Sequence, residues 1–213
     1  YYNLLEILTH IRHSEKVFIM NRLLLILVLT LSVQSFTKAD DIRDFEIEGM
    51  SIGDSLLNFF SKKKISTFMN YDDLPSDMKF RIIEFSSNES LKMKIYDGMQ
   101  LFYKPSDKKY ILHNVSGFID CSNKNDCNKI FNEIEKDLDI VFKKTKPDKR
   151  NFKHIDDKSG KSITRMSNYE LNDGSIAIKY TNWSSSMNYA HAVRVSVNTN
   201  ETNNWMSSNY GID

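Results

Sequence analysis

The stretch from residue 163 to residue 180 constrains the fold more than any other. Two strand-forming runs, 163–171 and 176–180, flank Asn172-Asp173-Gly174, residues that suit the tight reversal of an antiparallel hairpin. Further on, Val193, Val195 and Val197 alternate with Arg194, Ser196 and Asn198. That period of two marks a strand with one buried face. A short helix over 201–206, capped by Thr199 or Asn200, closes this part of the chain.

The same patterning runs through the first half. Residues 80–85 form a strand bounded by Ser86-Ser87-Asn88, and Leu91, Met93 and Ile95 alternate with Lys92, Lys94 and Tyr96. Asp97-Gly98 marks a turn or bulge, 99–103 continues extended, and 110–119 is the next strand, with Ile111, Val115 and Ile119 on one face. Cys127, Ile130, Phe131, Ile134, Leu138 and Val141 then repeat at helical spacing. Asp126 is the expected N-cap, and Pro147 prevents continuation. Residues 145–161 are polar and read as a linker or long loop.

At the front, 42–50 reads as a short strand or arm, and Asp54 or Ser55 caps a helix over 56–60 that Lys62-Lys63-Lys64 closes. The element order α-β-β-β-α, then β-β-β-α, predicts an α+β fold with helices on one face of antiparallel sheet. The second set echoes the first as a degenerate α-β-β-β duplication.

A basic start, Asn21-Arg22 after Met20, precedes an apolar run over 23–33 and Thr37-Lys38-Ala39. This is the pattern of a cleaved signal peptide, with the cut between Ala39 and Asp40. The apolar run has 11 residues, whereas about 20 are needed to cross a bilayer. Residues 1–19 then read as an upstream extension, 20–39 as the signal peptide and 40–213 as one mature domain, with 40–145 and 160–213 as its halves. Residues 1–39 carry four Lys/Arg and two Asp/Glu of the chain's 29 and 28, so the mature part has 25 basic and 26 acidic residues. That balance argues against nucleic acid or an anionic membrane as partner. The expected location is periplasmic or secreted, with membrane contact only through the signal peptide.

Cys121 and Cys127 are the only cysteines. In an exported chain they predict a disulfide that pins a strand end to a helix start. Their spacing is not that of a thiol-exchange motif. His113, His154 and His191 do not supply metal-ligand spacing, and the acidic segments around Asp120, Asp126 and Asp157 lack the calcium-loop pattern. Gly160-Lys161-Ser162 lacks the earlier glycine of a phosphate-binding loop, which leaves a polar turn. No motif implies a cofactor. His113 and His191 sit in phase with core-facing residues, and His154 falls in the polar loop, where exposure is expected. Tyr180, Trp183, Tyr189 and Trp205 cluster near the C-terminus. Trp183, beside Asn182 and Ser184-Ser185-Ser186 at a hairpin end, is the ring to watch, with Tyr180 and Tyr189 as companions, because loops carry binding functions.

The stretch from Ile47 through Gly49-Met50-Ser51-Ile52-Gly53 to Leu57 resembles the opening of a family of small exported proteins from free-living marine bacteria. Asp107-Lys108-Lys109-Tyr110-Ile111, Ser116-Gly117 before a Cys-bearing helix, and Asp157-Lys158-Ser159-Gly160-Lys161-Ser162 extend the resemblance over most of the mature chain. It implies export and brings no activity with it. The first part also resembles small outer-membrane assembly factors in its Gly-x-x-x-Gly start, capped helix and three strands. Those factors are typically lipoproteins, and no cysteine precedes Cys121 to carry a lipid.

Three functions follow as expectations. The first is a non-enzymatic exported protein that binds a protein or small-molecule partner through a sheet face or loop rim. The second is a hydrolase assembled from distant residues, with Asp97, His113, Asp173 and His191 to test. The third is an envelope assembly or adaptor factor.

Overall fold

The computed structural model describes residues 41–70, 78–87 and 92–210, all within the unit Ala39–Asp213. The expected cleavage point, Ala39 and Asp40, lies outside the described residues. A tight hairpin of β1 (Glu46–Ile47) and β2 (Met50–Ser51) opens the domain, after a 3-10 turn at Ile42–Asp44. The rest is organised by one eight-stranded antiparallel sheet. Its strands are β3 (Met69–Asn70), β4 (Arg81–Ser86), β5 (Gly98–Tyr103), β6 (Leu112–Asp120), β7 (Asp148–Lys153), β8 (Ile163–Leu171), β9 (Gly174–Asn182) and β10 (Ala192–Thr199). The strand order is β3-β4-β5-β6-β10-β9-β8-β7. Two meanders are thus joined through their last strands, with Val197 opposite Val115 and Val193 opposite Ile119. Three helices complete the domain: α1 (Lys62–Ile65), α2 (Lys124–Val141) and α3 (Asn200–Tyr210).

The α+β reading holds, and so does the hairpin across Asn172-Asp173, where Leu171 pairs with Gly174. The expected halves, 40–145 and 160–213, are not separate bodies, because β6 and β10 pair along seven residues inside one sheet. Each meander is followed by a helix, as the echo in element order suggests, but the likeness stops at the order.

Cross-strand partners share a face of the sheet. The register therefore sets Ile83, Leu101, Val115, Val197, Ile176 and Tyr169 in one row on the first face. Helix α2 lies on this face. Its Glu135 carboxylate accepts from the Arg165 guanidinium (2.8 Å) and from the Ser167 hydroxyl, and the Tyr169 hydroxyl donates to Asp139 (2.7 Å). The N-terminal arm covers the rest: Phe45 packs on Phe142, and Phe60 and Phe68 pack on Phe85. Helix α3 lies on the opposite face. There Trp205 meets Phe80 and Phe102 edge-on at 5.4 and 5.9 Å, with Ile82 alongside. Helices α2 and α3 therefore lie on opposite faces of the sheet, and the expectation of helices on one face is corrected. Periodicity shows that a strand has an apolar side; it does not say that the other side acquires a helix of its own.

Other departures have local causes. Residues 91–95 were expected to form a strand, yet 92–97 carries none; Leu91 itself lies outside the described residues. Instead, the Glu48 carboxylate accepts the backbone N–H groups of Lys94, Ile95 and Tyr96 at 2.7–3.1 Å, so those donors are taken from any ladder. Residues 42–50 fold into a turn and hairpin rather than one strand, with Glu48 at φ 53° and Gly49 at φ 79° at its tip. The lysines at 62–64 do not close a helix; Ser61 caps them into α1, and the segment before it is a 3-10 turn at Leu56–Asn58 capped by Ser55. The N-cap of α2 is Asn123, not Asp126; its Oδ1 accepts from Asn125 and Asp126, while the Asp126 carboxylate reaches back to the Ser122 N–H. The supposed linker 145–161 contains β7, an edge strand whose only half-buried side chains are Arg150 and Phe152, so its alternation hides in a polar sequence. The disulfide forms between Cys121, after β6, and Cys127 in the first turns of α2.

Gly117 faces the α2 side, where the Tyr96 ring occupies the space of its missing side chain: a Cβ there would stand 2.3 Å from the ring. Burial raises the Tyr96 phenol well above its usual range. Gly117→Ala is expected to displace the ring and destabilise the domain by about 1–3 kcal/mol, read as a lower denaturant midpoint. An unchanged midpoint would show that Tyr96 does not seal this position.

Candidate functional site

Helix α3 leaves the β7 end of the second face to other side chains. From the Trp205 cluster outward, the first step is a buried polar stripe. Asn114 donates to Asn198 (2.5 Å), and Ser116 donates to Ser196 (2.8 Å). These groups satisfy one another, as burial requires. The next row is cationic. The register aligns Phe118 with Arg194, Arg194 with Lys179, Lys179 with Met166, and Met166 with Arg150.

Neighbouring strands are about 4.8 Å apart, so Lys179 stands beside Arg194 with Arg150 two strands away. The Arg194 guanidinium lies 4.4 Å over the Phe118 ring and donates to the Gln100 amide oxygen at 3.1 Å. Gln100 in turn donates to Glu84 (3.0 Å), and Arg150 is bridged to Asp148 at 2.6 Å. Lys179 is half-buried and forms no hydrogen bond or ion pair among the described residues. Burial, then the charges of Arg194 and Arg150, pull its ammonium down to about 8 from 10.5.

An aromatic rim borders this row. Trp183 meets Tyr189 edge-on with centroids 4.7 Å apart, and the His154 ring sits 4.4 Å from Trp183 on its other flank. Tyr189 is 54% exposed. A clasp fixes the rim. Buried Asp157 accepts the N–H of Ser159, the N–H and hydroxyl of Ser162, and the hydroxyl of Ser184, all at 2.6–3.0 Å. The Ser184 N–H donates to Ser162 at 2.9 Å. These hydrogen bonds hold the Asp157 carboxyl well below its usual range. The turn at Gly160-Lys161-Ser162 thus serves the clasp, with Gly160 at φ 68°. Ser184, at the hairpin end beside Trp183, is a member of it.

His154 is half-buried against Trp183 rather than exposed as expected. Burial holds its imidazole below the usual 6.5, and Arg194 and Lys179 push the same way against Asp156. Its Nδ1 accepts from the Asp156 N–H at 3.3 Å, which leaves the ring proton of the neutral form on Nε2.

Of the three rings expected to bind, the structure brings Trp183 and Tyr189 together. Tyr180 is 2% exposed and points to the opposite face, in the row of Val193 and Ile119. It is a core residue, which corrects its expected place in the rim. Its hydroxyl and the Nδ1 of His191, whose ring lies 6.3 Å away, have no hydrogen-bond partner among the described residues.

The four residues of the hydrolase reading fall in two places. Asp97 accepts the Asp120 N–H, and the His191 carbonyl accepts the Cys121 N–H, so both stand at one end of β6. The His113 carbonyl accepts from Thr202 and the Asp173 carbonyl from Asn200, at the other end. The ends are about 26 Å apart along the strand, and no hydrogen bond joins any two of the four among the described residues. His113 also leaves its expected phase. A register shift at Phe102/Tyr103 turns its ring onto Phe80 and toward Glu201 (3.6 Å), beneath α3. Among the described residues, no group of three or more His, Cys, Asp or Glu could hold a metal ion, and no helix is long and apolar enough to cross a membrane.

The cation row escaped the sequence reading for a definite reason. Lys179 and Arg194 each lie between apolar neighbours on the polar parity of a strand, but only the register makes them adjacent. Arg150 lay in the segment taken for a linker. No family model, curated protein or solved structure matches the chain.

The lowered Lys179 has a thermodynamic consequence. A base whose folded value is depressed opposes folding while it is charged. The penalty is fully present below about pH 8 and is relieved as the pH rises toward 10.5, where the unfolded lysine also loses its proton. Lys179→Met is therefore expected to stabilise the domain by about 1–3 kcal/mol at neutral pH. The rise in thermal midpoint should shrink on going to alkaline pH. A lower midpoint at neutral pH, or a gain that grows with pH, would contradict this.

Proposed function

We propose that this chain is an exported, non-enzymatic binding protein whose ligand docks on the open part of the second sheet face, between the cation row and the Trp183–Tyr189 rim. The observation that carries the reading is the rim itself. Two large rings, one of them more than half exposed, stand outside the core, and Ser184, the neighbour of Trp183, is tied by buried Asp157 to the turn at Ser159 and Ser162. A surface aromatic pair fixed in place by a satisfied polar clasp is pre-organised, and pre-organisation lowers the entropy lost on binding. Rings of this kind supply large contact area with few rotatable bonds.

Export is supported by the basic start and apolar run before Ala39, by the likeness to small exported proteins, and by the Cys121–Cys127 bond, which suits an oxidising compartment. The near-balanced charge favours a small molecule or a protein over nucleic acid. The hydrolase alternative draws no support from the arrangement of Asp97, His113, Asp173 and His191.

Two measurements test the proposal. Intact mass of the protein recovered from the periplasm or culture fluid is expected to correspond to an N-terminus at Asp40 with the two thiols oxidised; retention of residues 23–33 would refute export. Binding is followed by Trp fluorescence, with Trp183→Phe separating Trp183 from the buried Trp205. Trp183→Ala is expected to weaken a bound ring-bearing ligand by about tenfold or more while leaving the unfolding midpoint nearly unchanged. If Trp183→Ala binds as tightly as the natural chain, the rim is not the site.

A further inference from the structure

Resting on the binding reading above, we propose that Lys179 and Arg194 together grip the phosphate of a small phosphomonoester whose ring lies toward Trp183. Three observations converge on this chemistry. Lys179 is an ammonium with no partner among the described residues, half-buried between two strands that each carry an arginine or lead to one. Arg194, directly opposite it, is oriented by the Phe118 ring and by Gln100, and a guanidinium held in this way offers a planar fork of donors suited to phosphate oxygens. The rim places Trp183, Tyr189 and the His154 imidazole on the same side of the sheet, where the organic part of such a ligand would rest.

Charge decides between anions. A carboxylate or a sulfate ester carries one negative charge, enough for Lys179 alone. A phosphomonoester carries close to two at neutral pH, so it also offsets the repulsion that Arg194 and Arg150 exert on the lysine. The buried polar stripe on one side and Met166 on the other limit competing water.

The test is calorimetric titration of the purified protein with phenyl phosphate, phenyl sulfate, inorganic phosphate and phenol at pH 7. Phenyl phosphate is expected to bind about tenfold or more tightly than any of the others. Lys179→Met should weaken it by about tenfold or more, and Lys179→Arg by less than about threefold. Raising the pH from 7 to about 9.5 should weaken binding to the natural chain, as Lys179 discharges, and leave Lys179→Arg unaffected.

The charged groups facing Lys179 are Arg194 from β10 and Arg150, with its partner Asp148, from β7; β8 contributes Met166, Glu84 lies behind Gln100, and His154 lies toward the rim. The ester's second ionisation, at about 6, lies below that pH range.

Equal affinity of Lys179→Met and the natural chain for phenyl phosphate overturns the proposal, as does the absence of phenyl phosphate binding. If phenol binds as tightly as phenyl phosphate, with the same Trp183 response, the phosphate grip is refuted while the ring-binding reading survives. If phenyl phosphate depends on Lys179 but ignores Trp183→Ala, the grip stands and the rim reading fails.

Discussion

Everything in this domain depends on β6 pairing with β10. The two strands come from far apart in the chain: Asn114 meets Asn198 across 84 residues. Closing so long a loop costs conformational entropy, although that cost grows only slowly with length. Seven paired residues offset it, along with apolar contacts on one face and linked polar groups on the other. A slip of β10 by one residue would turn Val197 to the polar side and Asn198 among apolar groups. The mutual hydrogen bonds of Asn114, Ser116, Ser196 and Asn198 exist only in the observed register. They therefore specify the pairing more than they strengthen it.

That pairing makes one sheet with two unlike faces. The first is closed by α2 and the N-terminal arm into the main core. The second is closed by α3 over Phe80, Ile82 and Phe102 and over the start of β9, where Asn203 donates to the Ser175 hydroxyl. The short helix follows β10 directly, with the Thr199 hydroxyl accepting the Thr202 N–H, and reaches the first meander through Thr202 and Trp205. The side chains left beyond its reach are a lysine, arginines and a fixed group of rings. A protein interior rarely tolerates an unpaired ammonium, and Lys179 raises the energy of the empty fold. The proposed phosphate ligand would supply the partner that this residue lacks.

Much of the fold was legible in the chain. The β8–β9 hairpin followed from Asn172-Asp173-Gly174, α2 from the spacing of Cys127 to Val141, and the disulfide from two cysteines in a sequence read as exported. What escaped was tertiary. Glu48 diverts the backbone of 94–96 from strand pairing, although residues there alternate well. Edge strand β7 has too few apolar groups to announce itself. The choice of sheet face by α3 is set by where β10 lands, which no local pattern records. The candidate site divides the same way. Trp183 stood out because a tryptophan among serines and asparagines at a hairpin end is unusual, whereas the Asp157 clasp and the Arg194–Lys179 neighbourhood arise from contacts across 27 residues and from strand register.

The most direct measurement of this account is the protonation of one amine. In the ligand-free protein, NMR of the lysine Cε resonances, with Lys179 assigned by its disappearance in Lys179→Met, should show a titration midpoint near 8. A midpoint near 10.5, the value of a freely solvated lysine, would mean that Lys179 is neither buried nor crowded by Arg194, and the site described here would not exist.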